Sequence, residues 1–295
     1  MQSLASIAIK SYLKIQRALQ RGKDLTLSEQ RKRLEHFAET FKVSKRVQIE
    51  STRINQISAE WITPDNCPSN TIIMYMHGGA YCAGSLNTHR AFLGRLAMAC
   101  KCKVFNIEYR LAPEYPYPAA LNDVFAVYNY LMKTFPANKI VFAGDSAGGG
   151  LAVALAMRSR DDKIALPAAC ILMAPWVDLS CDNATYQSVG KKDVLLNRKR
   201  LKRNARIYAG PEDIRHSYIS PVYGNLSGLP PVLIQVGTHD MLLGEAQVLS
   251  ERLESAGTAV SLEVWPKMMH GWQVLGNLIP ESRQAIQKIA EFIIH

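Results

Sequence analysis

Short apolar runs, each about the length of a strand and each closed by glycine or polar residues, recur at 71–76, 102–108, 139–143, 168–174, 231–236 and 260–265. Longer stretches with helical spacing of apolar positions lie between them, so strands and helices alternate to the end of the chain. Such alternation predicts a mostly parallel central sheet with helices on both faces. Ahead of it the chain reads as helical to about Phe41 and as a hairpin from Arg46 to Thr63. The alternation breaks between Leu179 and Gly228. The expected organisation is an N-terminal helical cap segment, 1–45, and an α/β domain, 46–295, that carries a cap insertion at about 179–228.

The run Ile140-Val-Phe-Ala-Gly144-Asp145-Ser146-Ala147-Gly148-Gly149-Gly150 closes one strand and leads into a strong helix former from Leu151 onward. Gly144-Asp-Ser146-Ala-Gly148 fits the G-x-S-x-G turn, in which small neighbours let strand and helix approach while one serine projects from the tip. The Ala147 N–H then lies at a helix N-terminus. Its partial positive charge favours the oxygen of a carbonyl under attack.

A second strand runs into glycines at Thr71-Ile-Ile-Met-Tyr-Met-His77-Gly78-Gly79-Ala80-Tyr81. Adjacent glycines let backbone N–H groups converge on one point, so Gly78 and Gly79 are the expected companions of Ala147 as oxyanion donors. A serine hydroxyl also needs a base, and the base needs a carboxylate to orient it. Seven histidines compete. His77 belongs to the glycine loop, His89 opens a helix, His36 lies in the N-terminal segment, His295 ends the chain, and His216 sits in a polar loop. His270 follows the strand at 260–265 and precedes Gly271, at the edge where open parallel sheets carry their sites. Asp240 reaches the same edge after the strand at 231–236. Asp178, after the strand at 168–174, is its rival, and His239 reads as a local hydrogen-bonding neighbour. The chain order Ser146, Asp240, His270 is that of α/β-hydrolases.

His77-Gly-Gly-Ala80, Tyr109-Arg-Leu-Ala-Pro-Glu114 with Pro118-Ala-Ala120 downstream, Gly144-Asp-Ser-Ala-Gly148, Asp240 and His270-Gly271 together resemble the motif set of the hormone-sensitive-lipase-like esterases of the α/β-hydrolase superfamily. The resemblance runs from about Thr71 to Trp272. It implies a serine carboxylesterase acting on short- to medium-chain esters through an acyl-enzyme. Ser146 would be nucleophile, His270 base, Asp240 acid, and Gly78, Gly79 and Ala147 the oxyanion donors. The chain departs from the usual pattern at Ala80 (a third glycine in the family), Met241 (proline), Gly244 (an acid) and Trp272 (phenylalanine). These departures bear on specificity, since none removes a proton-transfer group. Tyr81, Cys82, Asp145, Trp176, Tyr208 and Trp272 are the expected pocket residues, and Cys82 predicts partial sensitivity to thiol reagents. An amide or arylformamide hydrolase and an interfacial lipase would use the same triad. A small-molecule receptor of this fold would lack the histidine that His270 supplies.

Composition adds limits. At 295 residues and 48% hydrophobic content the chain can bury the core of one α/β domain with a small accessory region. Six scattered cysteines predict reduced thiols in the cytoplasm rather than a disulfide framework. No cofactor or metal is expected, because Cys100 and Cys102 lack the spacing and histidine company of a metal site. The net charge of +10 owes something to two basic stripes at helical spacing. Lys10, Lys14, Arg17 and Arg21 form one, and Arg198, Lys199, Lys202, Arg203 and Arg206 the other. Solvated faces of cap helices are the expected reading. Nucleic acid is not an expected partner, and contact with an anionic membrane surface ranks below the solvated reading. The first 23 residues lack the continuous apolar core of a signal peptide or membrane span. A small ester is the expected partner, bound by a monomer or homodimer.

Overall fold

The computed structural model describes residues 2–19 and 25–294. At its centre is an eight-stranded sheet in the order β1-β2-β4-β3-β5-β6-β7-β8. The strands are β1 (Val47–Ile54), β2 (Ile57–Pro64), β3 (Ile72–Met76), β4 (Lys103–Ile107), β5 (Ile140–Asp145), β6 (Ala169–Met173), β7 (Val232–Gly237) and β8 (Val260–Trp265). β2 is antiparallel to both neighbours, and β3 to β8 pair in parallel. Every expected strand is present, because continuous apolar runs suit strands covered on both faces.

Alternate residues of each strand enter opposite layers. Met74, Phe142, Leu172 and Ile234 join one buried cluster with α4 (Ala119–Leu131), α5 (Ala147–Asp161) and α8 (Leu243–Ser255). Ile73, Val141, Ile171 and Leu233 join another with α3 (Leu86–Cys100) and α9 (Pro280–Ile294). α5 begins at Ala147, ahead of the expected Leu151, despite three poor helix formers in its first turn. Packing explains this. A Cβ on Gly148 would overlap the Met76 carbonyl, one on Gly149 would crowd Pro175, and one on Gly150 would overlap the Trp176 carbonyl.

The N-terminal segment folds as α1 (Leu4–Leu19) and α2 (Leu27–Ala38), and the insert between β6 and β7 carries α6 (Thr185–Ser188) and α7 (Arg198–Ala209). The two segments touch where Arg203 Nη1 donates to the Leu25 carbonyl at 3.1 Å. Arg31 of α2 grips the glycine loop, donating to the Cys82 carbonyl at 2.7 Å and to both oxygens of Glu114. The inner face of α1, Ile9 and Leu13, packs against a cluster holding Val194, Met268, Met269 and Trp272.

The basic stripes divide. Lys10 docks on His239 Nδ1 and on the Lys267 carbonyl, whereas Lys14 is exposed. Arg21, His295 and the side chain of Arg17 lie outside the described residues. In α7, Arg198 donates to the Cys181 carbonyl and Lys202 pairs with Asp182 at 2.8 Å. Much of that second stripe is therefore engaged within the chain.

Candidate active site

Ser146 stands between β5 and α5 with φ 52° and ψ −120°, a conformation that costs a side-chain-bearing residue about 1–3 kcal/mol. Neighbouring backbone holds it there. Its N–H donates to the Met173 carbonyl at 2.9 Å, and its own carbonyl accepts from Trp176 N–H at 2.8 Å and Gly150 N–H at 3.2 Å. Ala147, the first residue of α5, has no acceptor for its N–H among the described residues. A helix start leaves such groups facing outward.

Asp240 is fully buried in the turn after β7. Its Oδ1 accepts the Leu242 N–H at 2.9 Å, and its Oδ2 lies 2.9 Å from His270 Nδ1. Because the carboxylate only accepts, Nδ1 carries the proton and Nε2 is left to act. Asp178, the sequence-level rival, instead accepts the Ser180 N–H in a local turn, and its own N–H donates to Glu245. Burial pulls the His270 imidazole down, but Asp240, then Asp193 and Asp145, outweigh it and push the group up to about 9.

Asp193 has no sequence signal that sets it apart. It is a buried carboxylate ahead of α7, and it accepts from the N–H groups of Leu195 and Leu196 at 2.8 Å and of Met241 at 3.0 Å. Burial and the charge of Asp240 hold its pKa above the ordinary value, while His270 opposes them.

The glycine loop is fixed from beneath by a polar network. Asp145 Oδ1 accepts from the Tyr75 hydroxyl at 2.7 Å and from the Gly78 N–H at 2.8 Å, and His89 Nε2 lies 3.2 Å from the same oxygen. Burial would raise the Asp145 carboxyl, yet His89, Tyr75 and Gly78 hold it well below the usual range. The Tyr109 hydroxyl donates to the His77 carbonyl at 2.6 Å, and the two rings stack. Gly78 is thereby corrected as an oxyanion donor, because its N–H is engaged by Asp145. The chain then turns through positive φ at Gly79 (128°), Ala80 (55°) and Tyr81 (59°). The N–H groups of Gly79 and Ala80 have no backbone acceptor among the described residues.

A sequence profile described as the α/β-hydrolase fold matches residues 73–274. The chain is 39% identical over 241 residues to an acetyl-hydrolase of Streptomyces hygroscopicus, an overlap of 81% of this chain and 80% of that protein. It superposes at a TM-score of 0.94 and 34% identity on the crystal structure of an esterase from the bacterial hormone-sensitive lipase family, covering 99% and 98% of the two chains. EstE5, from a crystal soaked with p-nitrophenyl butyrate, superposes at the same score, identity and coverage. The chain belongs to the hormone-sensitive-lipase-like esterases.

In this esterase several expected pocket residues lie deeper than the sequence suggested. Tyr81, Trp176, Tyr208 and Trp272 are all buried. Tyr81 stacks on Tyr208 at 3.7 Å between centroids and 6° between planes. Asp145 supports the loop from below. Cys82 is corrected as well, since its thiol is fully buried, its Sγ faces the Asn204 carbonyl, and burial pushes its pKa up to about 12. A thiol so shielded does not present the thiolate that reagents attack. Glu245 is buried beneath the β6 loop. It accepts from Val177 N–H at 2.7 Å, Asp178 N–H at 2.8 Å and the Tyr186 hydroxyl at 2.6 Å, and burial pushes it up to about 8. No helix among the described residues is long and apolar enough to cross a membrane.

Proposed function

We propose that the esterase is a serine carboxylesterase of short- to medium-chain esters in which Ser146, His270 and Asp240 form the catalytic triad. The observation that carries this reading is the 2.9 Å contact from Asp240 to His270 Nδ1, at the same sheet edge as the strained turn of Ser146. His270 Nε2 takes the Ser146 proton as the oxygen attacks the ester carbonyl, and Asp240 stabilises the imidazolium that forms. The imidazolium then protonates the departing alcohol. Water, deprotonated by the same nitrogen, attacks the acyl-enzyme and releases the acid.

Gly79, Ala80 and Ala147 are the oxyanion donors in this reading, and removing one such donor typically costs about 3 kcal/mol of transition-state stabilisation. Their support is positional: unengaged N–H groups at a positive-φ turn and at a helix start. Residues 1–45 and 179–228 serve as the cap, which excludes water and shapes the acyl and alcohol sites. The names of the acetyl-hydrolase relative and of the butyrate-soaked neighbour favour short acyl groups. Six free thiols favour a reducing, cytoplasmic setting.

Fluorophosphonate labelling, followed by peptide mapping, tests the nucleophile. Label is expected on Ser146, and Ser146→Ala is expected to lose at least about 10³-fold in ester turnover with an unchanged circular dichroism spectrum. Label elsewhere, or an active alanine variant, would sink the assignment. A panel of p-nitrophenyl esters beside matched anilides reads acyl length and separates esterase from amidase.

A further inference from the structure

Helix α1 carries an apolar stripe that the fold does not cover. Leu4 is 85% exposed, Tyr12 62%, Ile15 60% and Leu19 72%. With exposed Ala8 and Ala18 they recur at spacings of three and four, so they lie along one side of the helix. The opposite side is engaged: Ser6 is buried, Ile9 and Leu13 pack on the Met268, Met269 and Trp272 cluster, and Lys10 docks on His239. The outward stripe is therefore no frayed remnant of a core face. It belongs to a helix anchored on its other side, beside the loops of Asp240 and His270.

Its charge surroundings select among occupants. Residues 1–23 contain Lys10, Lys14, Arg17, Arg21 and Lys23 and no acidic residue. Exposed Lys14, seven residues on from Ile7, borders the stripe. A second copy docked here would bring two basic segments together in a chain already at +10. An anionic surface gains from each cation that approaches it, about 1 kcal/mol per Lys or Arg. An apolar stripe bordered by basic residues is the pattern of helices that lie in a lipid interface.

We propose that α1 docks the protein on anionic lipid surfaces, with Leu4, Tyr12, Ile15 and Leu19 entering the headgroup boundary and exposed Lys14 beside them facing lipid phosphates. The inner side of α1 stays on the Met269 and Trp272 cluster, so docking holds the loops of Asp240 and His270 close to the surface. This contact does not depend on the chemistry assigned to Ser146.

Sedimentation with vesicles of phosphatidylglycerol and phosphatidylcholine tests it, with pure phosphatidylcholine vesicles as the uncharged control. The wild-type chain is expected to bind the anionic vesicles and to be released near 1 M salt, where the screening length falls to about 3 Å. The double variant Ile15→Glu/Leu19→Glu is expected to bind at least about tenfold more weakly while keeping the circular dichroism spectrum and melting temperature of wild type. Lys14→Glu, which spares the apolar stripe, is expected to weaken binding severalfold. The proposal is overturned if the wild type leaves anionic vesicles in the supernatant at low salt, or if the double variant still sediments with them. It is equally overturned if the wild type is a dimer that the double variant splits, since the stripe would then be a self-interface.

Discussion

The Gly78 amide and the Asp145 carboxylate meet at 2.8 Å, so the loop expected to receive the carbonyl oxygen is tied to the residue that precedes Ser146. The same carboxylate holds Tyr75 and His89. Asp145→Asn keeps the shape but loses the charge that these bonds rest on, each worth about 1.5–3 kcal/mol. The variant is expected to melt roughly 5 °C or more below wild type at neutral pH. The carboxyl is held below its ordinary range, so its stabilisation is present above that range and is lost as pH falls through the folded value. Melting scans against pH should show the gap between the two proteins narrowing only in strong acid. A constant gap would mean that the charge is not what stabilises the loop.

His270 is pushed up to about 9, and in the proposed mechanism its neutral form is the base. The kcat/KM of an uncharged ester is therefore expected to rise along a limb near 9, more alkaline than an ordinary histidine. Asp240, Asp193 and Asp145 supply the negative charge. Asp193→Asn, which spares the triad, should move the limb down by about one unit. An unmoved limb would show that Asp193 only braces the Met241 turn. The sign for stability is opposite: the imidazolium stabilises the fold below the ordinary value of 6.5 and that contribution is lost as pH rises through about 9.

Thiol titration of the native protein should find Cys67 alone reactive. It is half-exposed, while Cys82, Cys100, Cys102, Cys170 and Cys181 are buried. Burial pushes Cys82, Cys170 and Cys181 up to about 12. Ester turnover is expected to survive the modification unchanged. Loss of activity that persists in Cys67→Ser would return Cys82 to the pocket.

Two glycines separate crowding from backbone strain. A methyl at Gly148 would overlap the Met76 carbonyl, whereas Gly271 has open space around its Cβ position and a φ of 61°. Gly148→Ala is expected to lose soluble expression or at least about 10²-fold in turnover, since backbone must shift. Gly271→Ala should cost only the left-handed strain, about 1–2 kcal/mol, and should fold. Thermal melts of both, with turnover, decide the comparison.

Strand positions were legible because continuous apolar runs have few alternatives once glycine turns punctuate them. Asp240 and His270 were legible from their places at strand ends, and the structure brings them into contact. The donor set was not. Sequence spacing nominates Gly78, but whether an N–H points at solvent or at Asp145 depends on a pairing 67 residues away in the chain. His89 and Asp193 were missed for the same reason, since their roles come from tertiary neighbours and not from local pattern. How deep the aromatic pocket candidates lie was not legible either, because a side chain's burial is set by tertiary packing. Tyr208 and Trp272 are both buried.

The stack of Tyr81 on Tyr208 joins the glycine loop to α7. Tyr81 immediately follows Ala80, so any outward swing of α7 must either break that ring contact or drag the loop with it. With α7 in the proposed cap and the loop amides as the proposed oxyanion donors, admission of a substrate and alignment of those amides would be geared together. Substitutions at Tyr208 therefore act on the glycine loop as well as on α7.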